Sequence, residues 1–294
     1  MTTQQNRKPV VVGVDGSPAT LDAVRWAGAQ ALRDDLPLRL VHAYELPVGF
    51  PTGVTEEESV LTAVRTQGRR WLSDAVAAAT EVLPAARVET ALVAASSAAG
   101  LLHESEDASL VVLGNKGRNM LTGLLAGSTS LAVAGHAHCP VVLARGTTQA
   151  GPVVVGVDST PASEPAVAFA FAEASARGAR LVALHAWTDS VFDSALAGSN
   201  APVDFDRDRR LAEKALVERL AAWQEKYPYV EVDRELVHDR PTRALRRRAQ
   251  TAQLLVVARR GRGGFRDLVL GSTSQHVVHH ATCPVAVVRA ETDG

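Results

Sequence analysis

Cysteine is scarce: the 294-residue chain has two. That excludes the multiply cross-linked framework of a small secreted domain. Cys139 and Cys283 each precede a proline at the head of an apolar run, CPVVLAR and CPVAVVR. They read as buried, reduced thiols packing like small hydrophobes, with a disulfide between them as the alternative. Charge of one sign is also missing, since 31 basic residues face 32 acidic ones and the formal net charge is −1. No global field draws in nucleic acid or an anionic membrane, so neither is expected as a partner. Residues 1–8 are polar, without the apolar core of a signal peptide, and no apolar run reaches the roughly 20 residues of a membrane span. A cytoplasmic protein is the expectation.

Familiar catalytic signatures are absent too. There is no G-x-x-x-x-G-K-[ST], no dinucleotide G-x-G-x-x-G after the first strand and no G-x-S-x-G elbow. Histidines gather near both cysteines (His136, His138; His276, His279, His280), but their spacing matches no common zinc pattern, and no metal is expected.

What the chain does have is enough apolar residues, 46%, for two ordinary cores, and an internal repeat. The run Pro9-Val-Val-Val-Gly-Val-Asp15 returns as Pro152-Val-Val-Val-Gly-Val-Asp158. His42-Ala43-Tyr44 returns as His185-Ala186-Trp187, and Cys139-Pro140-Val141 as Cys283-Pro284-Val285. The expected division is a first domain over 1–146, a linker over 147–150 and a second domain over 151–294.

Within each copy, short β-branched runs alternate with amphipathic stretches, which predicts a parallel sheet covered by helices on both faces. The expected strands are 10–14, 38–44, 88–93, 110–113 and 140–143, then 153–157, 181–184, 230–236, 254–257 and 285–288. Ser17-Pro18 predicts a helix start, Ser17 capping and Pro18 at the first helical position. A loop over 47–55 should precede an acidic helix start at Glu56-Glu57-Glu58 that runs to about Leu83; a short third helix should cover 98–106. In the second copy, Asp189, Asp193, Asp204, Asp206 and Asp208 surround a Gly-Ser-Asn-Ala-Pro stretch with the composition of a solvated loop.

The most informative stretch follows the fourth strand. Gly114 and Gly117 are followed by nine residues and then Gly127-Ser128-Thr129 at a predicted helix start. Glycines allow close backbone approach, and a helix N-terminus offers free N–H groups and the positive end of a dipole to an anion. The pattern recurs as Ala258, Gly261 and Gly271-Ser272-Thr273. Lys116 and Arg118 lie inside the first cradle, and Arg259, Arg260, Arg262 and Arg266 inside the second, as cations able to neutralise phosphate. With strand order 3-2-1-4-5, Asp15 and this cradle face one crevice at the carboxyl edge of the sheet. Asp15 has two readings there, as a contact to a nucleotide or water-held magnesium or as a cap of the first helix.

These motifs, in order and twice over, resemble the universal stress protein family in its tandem form. The resemblance implies two tandem doubly wound parallel five-stranded α/β sheets of order 3-2-1-4-5, pairing of domains through strand five, and bound ATP, with or without Mg2+. Carried over by position, Asp15 and the backbone near Ala43 contact the adenosine part, with Gly13 lining the crevice, and Gly114, Gly117, Gly127, Ser128 and Thr129 hold ribose and phosphates. In the second copy Gly156, Asp158, Ala186, Gly261, Gly271, Ser272 and Thr273 match. Ala258 departs from the pattern, weakening the second site if the glycine serves close approach and harmless if it does not.

The expected function is ATP binding by a stress or dormancy regulator read by another protein, without catalytic residues. A slow ATPase or phosphotransferase and a nucleotide-free scaffold are the alternatives. A pseudo-dimeric monomer and a homodimer both fit.

Overall fold

Three consecutive valines and a glycine open each copy, and a computed structural model shows both runs as strands whose valines are buried. It describes residues 7–45, 54–114, 127–146, 150–158, 160–187, 205–259 and 270–289. The chain divides into two compact units, Met1–Arg145 and Gly146–Gly294.

In the first unit, β1 (Val10–Gly13), β2 (Leu38–Tyr44), β3 (Val88–Ala94), β4 (Leu110–Gly114) and β5 (Val141–Ala144) form parallel pairs in the order β3-β2-β1-β4-β5. Helices α1 (Pro18–Arg33) and α2 (Val54–Thr80) pack together, as do α3 (Ser97–Glu104) and α4 (Ser128–His136). β1 and β4 read as apolar runs instead of alternating because they are covered on both faces: Val10, Val11, Val12, Val111 and Val112 have no exposed surface. α1 fills the groove beside them with Ala23, Val24, Ala27 and Ala31, small side chains that let the helix lie close to the sheet.

The second unit repeats the plan with β6 (Val153–Gly156), α5 (Glu164–Arg177), β7 (Leu181–Trp187), α6 (Phe205–Lys226), β8 (Val232–His238), α7 (Pro241–Arg248), β9 (Leu254–Ala258), α8 (Ser272–His280) and β10 (Val285–Val288). Its parallel order is β8-β7-β6-β9-β10. Phe171, fully buried, stacks near Trp223 and Tyr227 in place of the smaller Ala79 and Leu83 of the first unit.

Several boundaries differ from the sequence reading. α2 begins at Val54, so the expected loop gives up its last two residues to the helix. α2 ends at Thr80 and a 3-10 turn at Ala85–Arg87 leads into β3; α3 ends at Glu104. β7 continues to Trp187, because pairing with β8 continues through Trp187↔His238, and β8 begins at Val232. Asp206 and Asp208 belong to α6, not to the acidic loop, whose remaining residues lie outside the described ones. Cys139 and Cys283 are buried thiols with no disulfide between them. Among the described residues, no helix is long and apolar enough to cross a membrane.

Candidate functional site

The carboxyl ends of β1 and β4 lie side by side, Gly13 opposite Leu113, with β2 flanking β1 through Gly13↔Val41. β1 stops at Gly13, but Val14 N–H still donates to the Val41 carbonyl at 2.8 Å. The imidazole of His42 secures the same place. It is buried, and its Nδ1–H donates to the Val14 carbonyl at 2.7 Å. His185 repeats the bond to Val157 at 2.8 Å. This pair was visible in the repeated His-Ala of the sequence without a stated role. Its task is to hold the strand end from which each aspartate projects.

Asp15 therefore leaves a fixed backbone. Its Oδ1 accepts the Ser17 N–H at 2.9 Å and the Thr20 hydroxyl at 2.5 Å. Partial burial raises its pKa, but hydrogen bonds from Ser17 and Thr20 outweigh that cost and hold it below the ordinary aspartate value. Ser17 sits at the N-cap position of α1 with its hydroxyl 3.2 Å from Thr20 Oγ1 and makes no side-chain cap bond. The expected capping serine is thus a cap by backbone only, and Asp15 supplies the oxygen. Thr20 was missed by the sequence reading, and a hydroxyl five residues beyond an aspartate, in a first helical turn, was the available signal.

The glycines need separate accounts. A Cβ built on Gly114 would lie 2.8 Å from the Ala19 carbonyl oxygen and 3.0 Å from Thr20 N. On its Cβ side the first glycine of the cradle is therefore met by the first turn of α1. On Gly13 a Cβ would meet Leu113 at 2.9 Å and Leu101 at 3.0 Å, so its missing side chain makes room for packed leucines. Gly156 likewise faces Leu245. Gly16 has φ +74, and the Trp71 indole of α2 occupies the space a side chain there would need. Trp71 also meets His42 edge-on, ring centroids 5.1 Å apart. Ala43 faces α3, where a Cβ on Gly100 would lie 3.2 Å from its own.

Gly127, Ser128 and Thr129 do open α4. Gly127 is the N-cap residue, in extended conformation and without a side-chain cap bond; its carbonyl accepts the first helical bond from Leu131 at 3.1 Å. The first-turn N–H groups of a helix have no partner within it. Here they end half-exposed or exposed, at Gly127, Ser128 and Thr129. Gly117, Arg118, Gly261 and Arg262, with Lys116, Arg260 and Arg266, lie outside the described residues.

The second unit departs from the first at the same turn. Asp158 Oδ1 accepts Thr160 N–H at 2.9 Å and Thr160 Oγ1 at 2.7 Å, while Ser163, in the place of Thr20, donates to the Asp158 and Thr160 carbonyls. The segment Pro161–Ser163 is a 3-10 turn, and α5 starts only at Glu164. Ala258 supplies the Cβ that Gly114 omits, where the first unit shows an α-helical turn in its way. Gly271 caps α8 as Gly127 caps α4, with Ser274 Oγ donating to the Ala258 carbonyl at 2.6 Å. Ala186 pairs with Val237 as Ala43 pairs with Val93.

Among the described residues, no group of three or more His, Cys, Asp or Glu is arranged to hold a metal ion. Each unit thus carries, at the carboxyl edge of its sheet, a glycine-opened helix N-terminus and a hydrogen-bonded carboxylate.

Comparison with known proteins agrees with this layout. The model of the universal stress protein family matches residues 6–145 and again 150–289. Universal stress protein Rv2623 of Mycobacterium tuberculosis is 40% identical over 298 residues, covering 98% of this chain and 99% of that protein. Universal stress protein Rv2005c of the same organism is 39% identical over 298 residues, with the same coverage. The crystal structure of a universal stress protein from Archaeoglobus fulgidus shares the fold at a TM-score of 0.71 and 18% identity, covering 97% of this chain and 99% of that one. The chain belongs to the universal stress protein family, as a tandem of two of its domains.

Proposed function

We propose that this protein binds ATP at the carboxyl edge of the first unit's sheet and acts as a nucleotide-dependent regulator in the cytoplasm, its occupancy read by a partner protein. The observation that carries the reading is the start of α4: a glycine-opened N-terminus with no side-chain cap, on the same sheet edge as Asp15. Such an end favours phosphate oxygens through free N–H groups and the helix dipole. In this reading Gly117 and Arg118 complete the phosphate side. Ser128 and Thr129 add hydroxyls, and the second Asp15 oxygen accepts from ribose or base. Mg2+, where present, would ride on the phosphates.

Binding without rapid turnover follows from Asp15 itself. Its lowered pKa makes it a weak general base, and one of its oxygens is engaged by Ser17 and Thr20. The second unit carries Asp158, Gly261, Arg262, Gly271, Ser272 and Thr273 in matching places, but its altered first turn makes it the weaker site. ATP titration by calorimetry tests the reading: Gly117→Leu should abolish the tighter binding while leaving the thermal unfolding of the free protein unchanged. Wild-type affinity in that variant refutes it.

A further inference from the structure

We propose that His276 and His280 form a two-imidazole site for a divalent first-row transition-metal ion, of the Zn(II), Ni(II) or Cu(II) class. The two lie four residues apart on α8, hence on one face of the helix. Their ring centroids are 4.4 Å apart with the planes inclined by 46°. Both side chains are partly exposed, so an ion reaches them from solvent. Histidine nitrogens bind zinc at about 2.0–2.1 Å, and paired histidines at this helical spacing supply two ligands of one ion in H-E-x-x-H helices.

The first unit provides the contrast. His136 stands in the place of His280, but Ala132 stands in that of His276, and His136 Nδ1 bonds to the Ala132 carbonyl at 3.0 Å. The arrangement is thus particular to the second unit. The His279 ring lies farther off, its centroid 6.2 Å from that of His280, and it too acts electrostatically on His276. The guanidinium of Arg246, on α7, acts on His276 electrostatically and opposes a bound cation. With no group of three ligands among the described residues, water must complete the coordination, so the site is weak and exchangeable, with Cu(II) held more tightly than Ni(II) or Zn(II).

The test uses the full chain without an affinity tag, stripped of metal and nucleotide, titrated calorimetrically with nickel and zinc chloride. One ion per chain is expected. His276→Ala and His280→Ala should each weaken binding by at least about tenfold, since each removes one imidazole of two, while His136→Ala leaves it unchanged. Circular dichroism checks that the variants fold. The proposal is overturned if the wild-type chain takes up neither ion, or if either α8 variant binds as the wild type does.

Discussion

Gly114 and Ala19 are in each other's way: a single methyl on Gly114 would sit 2.8 Å from the Ala19 carbonyl oxygen. The end of β4 and the first turn of α1 therefore share one space. Where the second copy has Ala258 instead, the corresponding turn is 3-10 and the helix begins later. A residue that looks like part of a ligand cradle is first a condition for how the neighbouring helix starts.

Gly114→Ala is accordingly expected to cost about 1–3 kcal/mol, the usual range for overpacking a tight site, measured by urea unfolding. Ala258→Gly should cost only about 0.5–1 kcal/mol, the backbone entropy of glycine. A neutral Gly114→Ala would contradict the steric account.

The carboxylate of Asp15 sets an acid dependence. Its pKa in the folded chain lies below the ordinary 3.8, so its contribution is present above that value and is lost as pH falls through the lower, folded one. Asp15→Asn keeps an acceptor oxygen but no charge. The stability gap between wild type and this variant should be largest near neutrality and close in acid; a gap that widens on acidification would be inconsistent with a lowered pKa.

Much of this was legible in the sequence. The repeat and the alternation of strands and helices were readable because buried parallel strands must be apolar throughout, as Val10 to Val12 are; the order 3-2-1-4-5 was implied by the family resemblance. The α4 start was readable because Gly-Ser-Thr is a local signal. What fills the space beside Gly13 and Gly114 was not readable, because a missing side chain does not say which neighbour uses the space, and that neighbour comes from another element, Leu101 in one case and Ala19 in the other. Trp71 was missed for the same reason, since its partner Gly16 becomes a neighbour only once α2 is packed; the Thr20–Asp15 bond is local, and its five-residue spacing was the signal.

Trp71 and Gly16 form such a tertiary pair, and the second copy replaces both, with Ala215 and Ser159 at the corresponding positions. Gly16→Ser should destabilise the wild type by about 1–3 kcal/mol and do less damage in a Trp71→Ala background. A double-mutant cycle should return a coupling of at least about 0.5 kcal/mol. Additive effects would mean that the indole does not police this position.

The thiols offer a simple check on both cores. Cys283 has no exposed surface and Cys139 is 8% exposed. A thiol reagent should label neither rapidly in the native protein and both after denaturation. Rapid native labelling would show that the segments before β5 and β10 open readily.

The most direct test of the central claim is the nucleotide itself: gently purified protein is denatured, released nucleotide is identified and counted per chain, and the refilled protein is titrated with ATP. The account predicts intact ATP near one per chain, with a tighter class of binding that Gly117→Leu removes. No released nucleotide together with no ATP binding in the titration would contradict it.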